Sequence, residues 1–284
     1  MLAPRDITAW TPHAPWATEA QVEQDLLITQ AVVAIFQDRF LSEQVAMRGG
    51  TVLHKLHLAP AARYSEDIDL VAVGERPRGH IVRALMRVLD PIMGAKPVAN
   101  LQQRVALAVR NVAKPNDIAR LVYEYQPTSQ IPPVAKLKVE VNLTERRSVI
   151  PLVRLPYAPP LPNGSATVHV ASYDLNEMLG TKLRALLQRD HGRDLFDLSH
   201  AWTHCHATGR AEAVSGPEVA RIFTRYMTDE GSTVSRARFE HDLQRKLSLQ
   251  SFRADLADVL PVGRTFDVGH AAHVVRTEFL AHLP

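Results

Sequence analysis

The chain has 284 residues, of which 46% are hydrophobic and 22% charged, enough apolar material for one large or two smaller packed domains and too much for a disordered chain. Its formal net charge of +3, at a pI near 9.1, is compatible with RNA binding without requiring it. A single cysteine, Cys205, excludes an internal disulfide framework; with neither a basic-then-apolar leader nor an apolar run of membrane length, the expectation is a soluble cytoplasmic protein with no membrane partner.

Residues 1–16, rich in proline and tryptophan, read as an extended arm lying on the body. Thr18-Glu19-Ala20-Gln21 is a capping-box pattern. The helix it opens is expected to reach about residue 40, with Leu26, Ile28, Ala31, Val32, Ile35 and Phe36 inside. A short strand over 45–48, a Gly-Gly turn, a short helix over 51–58 and a second strand ending near 73 follow. Residues 79–90 form an amphipathic pattern that Pro91 should stop. Strands are expected at 104–112 and 117–125, joined by the turn-prone Lys114-Pro115-Asn116.

Residues 136–143 then alternate cleanly. Leu137, Val139, Val141 and Leu143 face a core, and Lys136, Lys138, Glu140 and Asn142 share the other face. The proline-rich stretch 151–165 reads as a linker, which divides the chain into a mixed-sheet part, 1–160, and a mainly helical part, 161–284. After a brief strand at 168–171, helices are expected at 174–189, 192–205, 216–228, 235–248, 252–260 and 267–282. The fold class expected is α/β in its α+β form.

One stretch organises the chemistry. Met47-Arg48-Gly49-Gly50-Thr51 runs from strand into turn, and Arg63-Tyr64-Ser65-Glu66-Asp67-Ile68-Asp69-Leu70 enters the next strand. Asp67 and Asp69, two apart on a strand, point to one face. Unpaired, they would raise each other's pKa; a divalent cation removes that penalty, and Mg²⁺ prefers a few carboxylates together with phosphate oxygens. Gly49 and Gly50 leave backbone open to close approach, and amides before a helix suit phosphate.

Other candidates carry ordinary alternatives. Glu140 is either solvent-facing or a third carboxylate beside Asp67 and Asp69. Lys182, on the apolar stripe of its helix, either snorkels at the stripe's edge or meets an anion such as a triphosphate. Asp194 and Asp197 either serve the helix start or orient Lys182, and one of them could act as a base. His200, His204, Cys205 and His206 tempt as a metal cluster but lack a zinc motif. Arg221, Arg225, Arg236, Arg238, Arg245 and Lys246 either track a nucleic-acid backbone or form a solvated face. No hydrolase elbow or P-loop occurs.

Four separated patches together resemble the AbiEii/AbiGii-type nucleotidyltransferase toxins of the DNA-polymerase-β-like superfamily. They are Gly49-Gly50-Thr51, Asp67-Ile68-Asp69-Leu70, Leu179-Gly180-Thr181-Lys182-Leu183, and Arg193-Asp194 with Asp197-Leu198. The resemblance implies a bilobed protein with Asp67, Asp69 and Glu140 as metal-holding catalytic acids. It further implies a helical lobe contributing Lys182 and Asp197, with Asp194 nearby. Arg48, Gly49, Gly50, Thr51, Arg63, Lys182 and Asp194 are then the candidate nucleotide-binding residues. Mg²⁺, or Mn²⁺ in its place, is the implied cofactor and an NTP the substrate. The acceptor would be RNA, as the 3′ end of a tRNA acceptor stem, so that translation is blocked; a cognate antitoxin is the implied partner. Transfer to a protein hydroxyl and a non-catalytic nucleotide- or RNA-binding module are the competing expectations.

Overall fold

A computed structural model describes residues 2–93, 106–112 (backbone only), 118–162, 164 and 166–284. The chain divides into two compact units, one of Met1–Ser148 with Leu152–Tyr173, the other of Val149–Pro151 with Asp174–Pro284.

The first unit is built on a mixed seven-stranded sheet. In chain order its strands are β1 (Val45–Arg48), β2 (Asp67–Ala72), β3 (Ala106–Val112), β4 (Ile118–Tyr125), β5 (Ala135–Asn142), β6 (Val153–Tyr157) and β7 (Val168–Ser172). Their spatial order is β3-β4-β5-β2-β1-β7-β6. β2 lies antiparallel to β1 and parallel to β5, which puts the expected acidic strand at the centre. In β4 and β5 buried and more exposed residues alternate, the pattern of a sheet with one face on a core. That core takes Ile68, Leu70, Leu121, Tyr123, Leu137, Val139 and Val141.

Helices of this unit are α1 (Pro4–Trp10), α2 (Glu19–Gln37), α3 (Arg39–Gln44), α4 (Gly49–Val52) and α5 (Arg78–Met93). α2 starts as its sequence indicates. Thr18 accepts from Gln21 N, and the Gln21 side chain reaches back to Thr18 N; such a cap contributes about 1 kcal/mol. It ends earlier than expected because the Asp38 carboxylate accepts from Leu41 N at 3.0 Å and starts α3. α5 passes Pro91 and is described as far as Met93. The turn at Lys114-Pro115-Asn116 and the start of the strand at 104–105 lie outside the described residues.

Two expectations need correction here. The N-terminal segment is helical, with α1 followed by a 3₁₀ turn over Thr11–His13. The indole N–H groups of Trp10 and Trp16 donate to the two oxygens of Asp25 on α2, at 2.8 and 3.0 Å. Asp25 is buried, and its charge is met by Lys55 at 2.7 Å. The proline-rich stretch is also not a mere linker. β6 occupies it and pairs antiparallel with β7, which in turn pairs with β1. By its contacts the chain passes into the second compact unit at Tyr173–Asp174, with Val149–Pro151 also belonging to that unit.

The second unit is helical: α6 (Leu175–Gln188), α7 (Gly192–Ala207), α8 (Gly216–Asp229), α9 (Arg236–Ser248), α10 (Gln250–Ala254) and α11 (Val268–Glu278). Gly180 lets α6 approach α8, since a Cβ there would stand 2.7 Å from Ile222. Glu177 is fully buried and accepts from Val149 N, Ile150 N and the Tyr226 hydroxyl at 2.7, 3.0 and 2.7 Å. Lys246 is buried too, donating to the carbonyls of Leu186, Leu187 and Arg189 where α6 ends, where a cation is favoured. Among the described residues no helix is long and apolar enough to cross a membrane.

Candidate active site

β1 delivers the chain into the Gly-Gly turn, and the turn closes onto β2. Gly49 has φ +82°, a conformation costly to any residue with a Cβ. A Cβ at Gly49 would lie 2.0 Å from Asp69 Oδ2, and one at Gly50 would lie 2.6 Å from Arg63 Nη2. The backbone conformation requires glycine at Gly49, and at Gly50 any side chain would have to displace the Arg63 guanidinium. Thr51 is fully buried; its hydroxyl donates to the Asp67 carbonyl and lies 2.9 Å from Ser65 Oγ. Thr51 therefore ties the turn to the start of β2, and its side chain is not presented to a ligand.

Asp67 and Asp69 lie on one face of β2, with Ile68 and Leu70 buried on the other. Parallel pairing sets Asp69 opposite Glu140 and Asp67 opposite Lys138 on β5. All three acids consequently share a sheet face. They do not converge as a preformed ligand shell. Among the described residues no group of three or more His, Cys, Asp or Glu side chains is arranged to hold a metal ion. Instead Glu140 Oε1 takes Arg120 Nε of β4 at 2.5 Å, and Asp67 Oδ2 faces Lys138 Nζ at 3.6 Å.

The other Asp67 oxygen, Oδ1, is buried and makes no hydrogen bond among the described residues. Burial pushes the Asp67 carboxyl up to about 6; Lys138 pulls it down, and Asp69, Glu66 and Glu140 push it further up. An orphaned carboxylate oxygen beside two other acids is a donor set that suits a hard divalent cation. Asp67 and Asp69 are the residues that would hold such an ion, with Glu140 joining them if Arg120 released it.

Arg48 stands opposite Asp69 on β1 and is ion-paired with Glu145. Arg63 is buried behind Gly50 and donates to the Tyr64 carbonyl at 2.9 Å. In the second unit Lys182 reaches Asp197 at 2.7 Å and Asp194 at 3.3 Å. Arg189 clasps Asp194 with two bonds of 2.6 and 2.8 Å. Lys182 is 6% exposed and both aspartates are fully buried, so Lys182 does not snorkel. Burial alone would raise the Asp194 carboxyl, but Lys182 and Arg189 draw it below the usual carboxylate range.

The remaining sequence candidates resolve as structure. Cys205 is buried, His200 stacks on Phe196 with centroids 5.4 Å apart, and His206 Nδ1 lies 2.8 Å from the Trp202 carbonyl. Arg221, Arg225 and Arg236 pair with Glu218, Asp229 and Glu240 one turn away, and Arg245 with Asp190 and Asp242. Arg238 Nη1 lies 3.4 Å from the Thr233 carbonyl. The i, i+3 and i, i+4 spacings of the first three pairs were visible in the sequence. Arg120 and Glu145 escaped sequence reading; each is one charge on a strand or loop whose partner comes from another element.

The family model described as "Nucleotidyl transferase AbiEii toxin, Type IV TA system" matches residues 30–272. Among solved structures the chain is similar to MenT4, a nucleotidyltransferase toxin from Mycobacterium tuberculosis H37Rv. The TM-score is 0.63 at 18% identity, covering 100% of this chain and 91% of that one. An antigenic nucleotidyltransferase-like protein from Paracoccidioides brasiliensis gives a TM-score of 0.36 at 16% identity, over 63% of this chain and 76% of that one, too low to support an argument. No curated protein matches the chain. The match to MenT4 concerns the fold; the family match, spanning most of the sequence with the Gly49-Gly50 turn and the acids of β2 inside it, means that the chain belongs to the AbiEii family of nucleotidyltransferase toxins of type IV toxin–antitoxin systems.

Proposed function

We propose that the protein transfers a nucleoside monophosphate from an NTP to the 3′ end of RNA, with a tRNA acceptor stem as the natural acceptor, and that this arrests translation until a cognate antitoxin intervenes. The observation that carries the reading is the shared face of Asp67, Asp69 and Glu140, with Asp67 Oδ1 buried and unsatisfied. A divalent cation, Mg²⁺ or Mn²⁺, held by Asp67 and Asp69 and joined by Glu140, would neutralise the charge on the triphosphate and on the leaving pyrophosphate.

The rest falls to the chain. The 3′-oxygen of the acceptor attacks the α-phosphorus, a new P–O bond forms, and the bond to the bridging oxygen of the β-phosphate breaks to release pyrophosphate. Glu140, once freed from Arg120, takes up the hydroxyl proton on a carboxylate oxygen. The backbone at Gly49 and Gly50 receives the triphosphate at close range. Arg48 adds positive charge beside Asp69, and Arg63 adds it behind Gly50. Lys182, with Asp194 and Asp197, is the helical unit's contribution; because its charge is already balanced within that unit, its part in the reaction is to be separated from its part in folding.

Incubation of the protein with each radiolabelled NTP, Mg²⁺ and total tRNA tests the reading. Label on RNA that is lost in Asp69→Ala supports it. Label on a polypeptide makes the acceptor a protein hydroxyl. Retained NTP binding without transfer to any acceptor makes the chain a binding module.

A further inference from the structure

A line of charge crosses the centre of the sheet. The register aligns Arg120 with Glu140, Glu140 with Asp69, and Asp69 with Arg48. Over β4, β5, β2 and β1 the row reads cation, acid, acid, cation. Two residues along, Lys138 stands opposite Asp67. Directly opposed residues on neighbouring strands hold their side chains on one face within reach of each other. The ladder therefore fixes this arrangement.

The cations at the two ends differ. Arg48 is ion-paired with Glu145, which is outside the acid set. Arg120 and Lys138 are paired with Glu140 and Asp67, two of the three carboxylates a divalent cation would need. Their side chains are 37% and 41% exposed, so both can swing into solvent. Exposed ion pairs contribute little to stability, so little is lost when they open. A cation displaced from its acid stays tethered beside it, where the substrate's phosphates must arrive.

We infer that Arg120 and Lys138 are exchangeable counter-ions. They neutralise Glu140 and Asp67 while no divalent cation is present, and they turn to the phosphate oxygens of the substrate when one binds. This rests on the metal-dependent reading above and adds to it a substrate-phosphate set on β4 and β5. Arg120 is the stronger of the two, because its guanidinium is in close contact and can grip a phosphate through two N–H groups.

The test uses the full chain and two readouts other than turnover. Mn²⁺ binding is measured by electron paramagnetic resonance without nucleotide, for wild type, Arg120→Gln, Arg120→Lys and Lys138→Gln. Binding of a short single-stranded RNA and of a non-hydrolysable NTP analogue is measured by anisotropy, with and without Mn²⁺. Arg120→Gln should bind Mn²⁺ about three- to tenfold more tightly than wild type, because the competing cation is gone. Mn²⁺ should strengthen wild-type binding of a phosphate ligand by about fivefold or more, as coupled sites require, and Arg120→Gln should weaken that coupling to what the cation itself contributes, while Arg120→Lys weakens it less. Lys138→Gln should shift both readouts the same way, more weakly. Loss of coupling for the RNA alone assigns the pair to the acceptor, and for the analogue alone to the donor triphosphate. Unchanged or weaker Mn²⁺ binding by Arg120→Gln, or coupling as strong in that variant as in wild type, overturns the inference and leaves the proposed reaction standing. Absence of Mn²⁺ binding in wild type and variants alike overturns both.

Discussion

Gly49 and Asp67 show how much of this site is decided by single atoms. At Gly49 a methyl group must adopt φ +82° and occupy space 2.0 Å from Asp69 Oδ2. Gly49→Ala should cost about 1–2 kcal/mol in backbone strain alone. It should also displace Asp69, cutting nucleotidyl transfer at least about tenfold; urea unfolding and label incorporation measure the two effects separately. Asp67 works in the opposite sense. Its carboxyl is raised from 3.8 to about 6, so the stability it contributes is complete below about pH 3.8 and is lost as pH rises through 6. At neutral pH, without metal, its charge costs stability that Lys138 offsets only in part. Asp67→Asn should therefore raise the melting temperature of the metal-free protein and shrink the further rise that Mg²⁺ produces, as seen by calorimetry. A variant that melts lower without metal would contradict this.

Among the elements, α6 and α7 carry a buried charge cluster whose behaviour is calculable. Asp194 sits between Lys182 and Arg189 and is fully buried. Breaking such a cluster on one side leaves uncompensated charge and costs about 3–5 kcal/mol. Asp194→Asn should lose that much at pH 7. Because the folded carboxyl lies below its ordinary 3.8, its contribution is complete above that value and fades as pH falls through the lower one. The gap between wild type and variant should thus narrow below about pH 4 in unfolding titrations. Lys182→Met should destabilise the chain too, since it strips two buried aspartates of a cation; a loss of transfer in a protein that still folds would show that Lys182 also serves the reaction.

The strands and helices that local pattern specifies were legible: the alternation of β5 and the capping box of α2. Elements held by distant partners were not. β6 hides among prolines because its ladder is supplied by β7, and α1 is fixed by indole contacts to Asp25, fifteen and nine residues away from Trp10 and Trp16. The same reason explains the site. Asp67, Asp69 and the two glycines announce themselves by spacing. That Arg120 holds Glu140, or that Thr51 is spent on the Asp67 carbonyl, depends on strand register, which no stretch of sequence states.

At the scale of the whole molecule, the chain joins a sheet unit carrying the acids to a helical unit carrying the Lys182 cluster. Its membership of a nucleotidyltransferase toxin family gives an NTP and a cognate antitoxin as the natural partners. Our proposal is that the acids of β2 and β5 serve nucleotidyl transfer to RNA. It is tested most directly by incubating purified wild type and Asp69→Ala with labelled NTPs, Mg²⁺ and total tRNA, then sequencing RNA 3′ ends. Wild type should add nucleotides and the variant none, both proteins remaining folded. Equal 3′-end addition by the two proteins, or none by wild type while it still binds NTP, would contradict it.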